Sequence, residues 1–298
     1  MRAYVIGNVA IDETIAVSTM PEAGASILGR EETRDLGGKG ANQAVVMGRS
    51  GLAVTLAAAV GEDFRAGTIR DLLAAEPIEA RLVTLPRGSS DFSVIFTTPD
   101  GENAIVTTTG SAGALPLADA LGALSSAEAG DLAVLQGNLS EEATRGVLAV
   151  AKERGMVTAF NPSPLRPYFA DVWPFVDIAF LNRGEAEHLT GSSGAEAASR
   201  LLDAGVRRVV LTLGGEGALL ASRDAVESVP AVVADVVDTT GAGDTFMAVA
   251  LASAVLRGVP LDGSAVAHAS AAAALTVSRR GTRAAFPTPE ELRSILAG

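Results

Sequence analysis

The apolar positions of this chain fall into short, nearly unbroken runs separated by amphipathic stretches of helical length. Ala3 to Ile6, Val54 to Val60, Leu132 to Leu135, Val157 to Phe160, Ile178 to Leu181 and Val209 to Thr212 are too short for helices and read as strands buried on both faces. Val232 to Val237, interrupted only by Asp235, reads the same way. Helical spacing is expected at 38–49, 64–75, 141–154, 185–190, 195–204, 247–256 and 265–277. The alternation, regular from residue 118 onward, predicts an α/β fold: a mostly parallel central sheet with helices on both faces.

Two stretches, 12–36 and 78–110, break that rhythm. Neither has helical periodicity, and the first contains Pro21, Gly24 and Gly29. In the second, Phe92 to Thr97 and Ala104 to Thr107 flank Pro99-Asp100-Gly101, a hairpin signal. The two groups are expected to pair into one small sheet standing off the main body. No internal repeat, low-complexity tract or long linker divides residues 1–298, so we expect one domain with these inserts.

Composition narrows the function classes. A net charge of −12, from 23 basic and 35 acidic residues, comes with no basic run to follow a nucleic-acid backbone, so nucleic acid is not an expected partner. No apolar segment has the length of a membrane span, and none is expected to bind a membrane. Cysteine is absent, which removes disulfides and thiolate metal sites. With no apolar signal-peptide core after Met1-Arg2, a cytoplasmic location is expected.

Candidate chemistry centres on Asp238-Thr-Thr-Gly-Ala-Gly-Asp-Thr-Phe246, where a glycine turn leads into a helix. Unpaired amides at such a helix start favour an anion, and Gly241, Ala242 and Gly243 leave room for a phosphate. Asp244, in the same first turn, is placed either to favour the helix dipole or to act as a general base for an attacking hydroxyl. A dinucleotide fingerprint is excluded because Phe246 stands where a third glycine is needed, and a P-loop because Lys39 is followed by Gly40.

This nonapeptide, with Gly37-Gly38-Lys39-Gly40-Ala41-Asn42-Gln43-Ala44 upstream, resembles the two signatures of the ribokinase-like (PfkB) carbohydrate kinases. Gly101-Glu102-Asn103, Asn161-Pro162, Asn182 with Glu185, and Thr212-Leu213-Gly214 also fall where that family has them. The resemblance implies transfer of the ATP γ-phosphoryl group to a hydroxyl of a small sugar or polyol. It makes Asp244 the base, Gly241 to Gly243 the anion hole, and Asp12, Gly38, Lys39, Asn42 and Asn138 the acceptor site. It also makes the small sheet a lid over the sugar, and an uncovered apolar lid face predicts a homodimer.

For the nucleotide, the resemblance assigns Asn182, Glu185, Thr212 and Gly214 to ATP and Mg2+. The Asn182–Glu185 spacing equally fits a helix capping box. A monovalent cation, K+, is implied near Asp238, Thr240, Thr276, Arg279 and Gly281, although Ala285 stands where close relatives carry a serine. At the acceptor site, Ala10 and Asn138 replace an asparagine and a glutamate of ribokinase-like sequences. That disfavours ribose itself and admits another pentose, a hexose or a nucleoside. A sugar-phosphate acceptor would need a basic anchor such as Arg30, Arg34, Arg81 or Arg87. A sugar-sensing protein without catalysis is the reading from another class, and retention of Asp244 argues against it. His188 and His268 lie in helical segments away from the motifs and are read as structural.

Overall fold

The computed structural model describes residues 1–100 and 102–298. Strand β1 (Ala3–Ile6) is followed by an excursion of two antiparallel strands, β2 (Ala10–Val17) and β3 (Gly29–Gly37), before helix α1 (Lys39–Arg49) returns to the body. Next come β4 (Val54–Val60), α2 (Phe64–Ala74) and β5 (Glu79–Thr84), then a second excursion through β6 (Phe92–Thr97) and β7 (Asn103–Thr107). Helices α3 (Gly110–Gly113) and α4 (Leu117–Ala123) lead to β8 (Leu132–Gln136), α5 (Glu141–Glu153), β9 (Val157–Asn161), β10 (Ile178–Asn182), α6 (Arg183–Thr190), α7 (Gly194–Asp203) and β11 (Arg208–Thr212). The chain closes with β12 (Ala218–Ser222), β13 (Val226–Val229), α8 (Ala242–Arg257), α9 (Gly263–Val277) and α10 (Pro289–Ala297).

Among the described residues, nine strands form the main sheet in the order β13-β12-β11-β10-β9-β8-β1-β4-β5. All its pairings are parallel except those of β12 and β13. Each side of the sheet carries a core, which is why its strands read as continuous apolar runs. Ala3 and Val5 of β1 face α1, α8 and α9, while Tyr4 and Ile6 face the opposite core, where Phe160 meets Phe169 and Trp173 edge-on. Helix α8 is buried continuously from Asp244 to Ala254, wedged between α1 and α9, so its apolar pattern runs around the whole helix rather than along one stripe.

The second sheet, in the order β3-β2-β6-β7, is the expected lid. Its central pairing sets Asp12 opposite Ser93. Asp12 therefore belongs to a lid strand. The expected insert 78–110 is shorter at its start, since Glu79–Thr84 pairs with β4 at the edge of the main sheet. Gly101 of the expected Pro99-Asp100-Gly101 turn lies outside the described residues.

The stretch 232–237 is not a strand, contrary to its pattern. Pro230, which has no amide hydrogen to continue a ladder, follows β13, and the chain beyond runs exposed, with Val233 at 98%. The β12–β13 hairpin and α10 escape the periodicity reading because each is short and half exposed.

The strand order puts the site where it is. β1 has β4 on one side and β8 on the other, so connections leave it in opposite directions and a crevice opens beyond the carboxyl ends of β1 and β8. Asn8 follows β1 at that edge and Asn138 follows β8.

Candidate active site

A cavity of about 490 Å3 occupies this crevice. Its floor is built from Asn8, Asn138, Ser163 and Pro164, and one wall from Gly38, Lys39 and Asn42 at the start of α1. The lid contributes Asp12, Ser93, Ile95, Ile105 and Thr107, and the turn before α8 contributes Thr239, Thr240, Gly241 and Asp244. Both signature motifs thus open onto one space, which also receives the inner face of the lid.

The glycines of the first signature permit this convergence. A Cβ on Gly37 would lie 2.2 Å from the Asp12 carboxylate. The amide of Gly40 donates to Asn8 Oδ1 at 3.1 Å, binding the helix start to the end of β1.

In the second signature, Gly241 caps α8 with φ +75°, a left-handed conformation that favours glycine, and a Cβ there would stand 2.7 Å from the Phe286 ring. Among the described residues, the amides of Gly241, Gly243 and Asp244 make no protein hydrogen bond, whereas that of Ala242 reaches back to the Thr239 carbonyl at 3.3 Å. Of the three expected anion-hole residues, two keep their amides free, and Asp244 adds its own at the positive end of a long helix.

Asp244 is 6% exposed, and each of its oxygens accepts one side-chain amide: Asn42 Nδ2 donates to Oδ2 and Gln43 Nε2 to Oδ1, both at 2.9 Å. Gln136 Nε2 in turn donates to Gln43 Oε1 at 2.7 Å. Asp12 accepts from Thr282 Oγ1 at 2.9 Å. Burial pushes the Asp12 carboxyl above its usual range; Ser93 and Thr282 donate against that shift, while the charges of Asp244 and Asp35 add to it. Gln43, Gln136 and Thr282 carried no assigned role in the sequence, although Gln43 stands inside the first signature.

Asn42 Oδ1 and Asn138 Oδ1 are buried with no hydrogen-bond partner. A native fold seldom leaves such oxygens unpaired, and a water or ligand that brings O–H or N–H groups would satisfy them. Ala10, on the same face of β2 as Asp12, is fully buried and does not line the cavity.

The expected nucleotide residues gather elsewhere on the same sheet edge. Asn182 and Thr212 are register partners at the carboxyl ends of β10 and β11, and Gly214 begins the turn after β11. Asn182 and Glu185 form a capping box, with Asn182 Oδ1 accepting from the Glu185 amide at 2.8 Å and Glu185 Oε2 from the Asn182 amide at 2.9 Å. Glu185 Oε1 stays outside that box.

The two expected cation loops are stitched together. The Asp238 carboxylate accepts the amides of Thr240 at 2.9 Å and Gly281 at 3.0 Å, and the Val277 carbonyl accepts those of Val237 and Asp238. Thr276 spends its hydroxyl on Thr245 and Ala272, and its carbonyl accepts the Arg279 amide. Ala285 is buried and offers only a methyl. Of the histidines, His268 Nδ1 meets Ser253 Oγ at 2.8 Å between α9 and α8, and His188 is exposed on α6.

Comparison with known proteins agrees with this architecture. Residues 3–289 match the model of the pfkB family carbohydrate kinases. A ribokinase of Haemophilus influenzae is 28% identical over 98% of this chain and 97% of its own, and a deoxyribokinase of Salmonella typhi is 30% identical over 100% and 99%. The solved structure of a ribokinase from Thermotoga maritima superposes with a TM-score of 0.88 at 27% identity, covering 100% of both chains. With both signatures on one cavity and a family match over nearly its whole length, the chain belongs to the pfkB family of carbohydrate kinases.

Proposed function

We propose that this carbohydrate kinase transfers the γ-phosphoryl group of ATP to a neutral, unphosphorylated sugar of about pentose size, with Asp244 as general base. One observation carries the choice of acceptor: Asp12, Asp244, Asn42 and Asn138 line the cavity together. Two carboxylates beside two side-chain amides suit a ligand rich in hydroxyls. Arg30, Arg34 and Arg81, the candidate phosphate anchors, are paired with Glu32, Glu31 and Glu79, and none of them lines the cavity. Arg87 lines a separate hollow beside the lid hinge. A nucleoside base would want an aromatic platform, and among the described residues no aromatic side chain lines the cavity.

In this reading Asp12, Asn42, Asn138 and Lys39 hold the non-reacting hydroxyls while the reacting one points at Asp244. Asp244 takes its proton as the oxygen attacks the γ-phosphorus and the bond to the bridging oxygen of ADP breaks. The free amides of Gly241, Gly243 and Asp244 stabilise charge on the transferring group. Closure of the lid strands over the sugar excludes water that would otherwise consume ATP.

Magnesium would neutralise phosphate charge. No cluster of three or more acidic or histidine side chains able to hold a metal occurs among the described residues, which suits an ion carried mainly by phosphates and water. Glu185 Oε1 and the edge formed by Asn182, Thr212 and Gly214 are the residues proposed to hold it with ATP. The stitched loops at Asp238, Thr240, Arg279 and Gly281 supply oxygens for K+, with Ala285 contributing none.

Leu28 and Val106 lie exposed on the lid at 94% and 64%, which supports a homodimer through that sheet. A concentration-independent monomer mass in solution scattering would remove it. No helix among the described residues is long and apolar enough to cross a membrane.

The deciding experiment is an ADP-release screen over pentoses, deoxypentoses, hexoses, their phosphates and nucleosides, with and without potassium. Turnover confined to neutral sugars is expected. A strong preference for a phosphorylated acceptor would overturn the proposal.

A further inference from the structure

We propose that Gln43 and Gln136 form an amide relay that fixes the orientation of the Asp244 carboxylate, making both of them positioning residues for proton abstraction. This rests on Asp244 being the general base.

The relay joins three elements distant in sequence. Gln43 is on α1, Gln136 ends β8 and Asp244 lies in the first turn of α8. Asn42 alone would hold one carboxylate oxygen and leave the group free to swing about that contact. Gln43 Nε2 on the other oxygen fixes the plane of the carboxylate.

An amide can turn end for end with little change of shape, however. A reversed Gln43 would set its oxygen against the carboxylate. Gln136 Nε2, donating to Gln43 Oε1 at 2.7 Å, opposes that reversal. Gln136 thus acts on the base through Gln43 and touches neither Asp244 nor the cavity.

Gln136 is otherwise a poor choice for its place. Both glutamines are 0% exposed, and Gln136 Oε1 is buried with no partner. It is accommodated because Gly7 has no side chain: a Cβ there would lie 2.1 Å from that oxygen. A methionine of similar length would fill the position without desolvating an amide. The bond to Gln43 is what such a substitution would lose. A positioning role therefore predicts turnover lost by the folded protein, whereas a purely structural role predicts turnover that simply follows the folded fraction.

The test compares Gln43→Met, Gln136→Met and the double variant with Asp244→Asn, reading kcat, sugar KM, ATP affinity by calorimetry, and thermal midpoint. Each single glutamine variant is expected to lower kcat by roughly 10- to 100-fold, the cost of a misplaced reacting group. Sugar KM and ATP affinity should stay near wild type. Adding Gln136→Met to Gln43→Met should lower kcat no further, because the relay is already broken. Gln136→Met leaves Gln43 Oε1 without its donor, so its midpoint should fall modestly while the protein stays folded at the assay temperature.

Wild-type kcat in either single variant, with Asp244→Asn inactive, would overturn the relay and leave the base in place. Independent, multiplying losses in the double variant would also overturn it, as would turnover that falls only in proportion to the unfolded fraction of each variant. Full turnover in Asp244→Asn would remove the base and the relay together.

Discussion

Thr282 Oγ1 donates to Asp12 Oδ2 across 2.9 Å, joining residues 270 positions apart. Asp12 lies on the lid and Thr282 in the loop after α9, so this one bond ties a lid strand lining the cavity to the loop that packs against the proposed anion hole. The same loop holds Phe286 against Gly241 and Gly281 against Asp238. The proposed sugar, cation and phosphate sites thus share one short segment of chain.

Removing that hydroxyl should loosen acceptor binding before it affects chemistry. Thr282→Val keeps the shape and deletes the donor to a buried carboxylate, a bond worth about 1.5–3 kcal/mol. The expected result is a rise in sugar KM of about tenfold or more, with ATP affinity unchanged. Steady-state kinetics with each substrate varied in turn checks it.

Asp12 is expected to work at the expense of stability. Because burial raises its pKa in the folded protein, the folded state binds its proton more tightly than the unfolded chain does. Ionised Asp12 is therefore destabilising above its raised folded pKa. The penalty fades as pH falls through that value towards the ordinary 3.8, where both states become protonated. Asp12→Asn should raise the thermal midpoint at neutral pH, lose that advantage on acidification, and bind sugar poorly. Melting curves from neutral to acid pH, set beside sugar titrations, measure both.

The loop after α9 is also held from beneath by charge. Glu76 receives Arg49 at 2.6 Å and Arg283 at 2.9 Å, and Arg283 Nε also donates to Asp35 at the end of lid strand β3. Burial alone would raise the Glu76 carboxyl, but the two guanidiniums outweigh it and hold the group below its usual range. Its contribution is present above the unfolded carboxylate pKa and is lost as pH falls through the depressed folded value. Glu76→Gln should cost about 2 kcal/mol at neutral pH, below the full penalty of a broken buried pair because both arginines reach solvent. Urea unfolding at neutral and acid pH should show the difference shrinking with acid.

Gly241→Ala tests the turn itself. The left-handed backbone costs an alanine about 1–2 kcal/mol, and the methyl must also displace the Phe286 ring. Both stability and turnover should fall, the latter because the amides that face the phosphate move. For stability alone, Gly243→Ala is the control, since its Cβ would meet nothing within 4 Å and its φ is not in the left-handed region.

The parallel sheet was legible in the sequence because strands buried on both faces are apolar at nearly every position, as in Val54–Val60, where Thr55 is the exception. Edge strands carry no such mark. β5 is half exposed and alternating, so Glu79–Thr84 reads like the lid strands beside it, and only its pairing with β4 assigns it to the main sheet. The opposite error at 232–237 arises because an exposed loop of valines has the composition of a buried strand. In the site, the glycines and Asp244 were visible as local motifs. Thr282 and Gln136 were not, because each does its work on a residue more than 90 positions away and leaves no local pattern.

The account depends most on the Asp244 carboxylate taking the acceptor's proton beside amides that hold the phosphate. The most direct measurement is kcat of Asp244→Asn with the best sugar from the screen, alongside its calorimetric affinity for ATP. A fall of at least about 10²- to 10⁴-fold with ATP affinity retained is the predicted result. Turnover within a few-fold of wild type would contradict it.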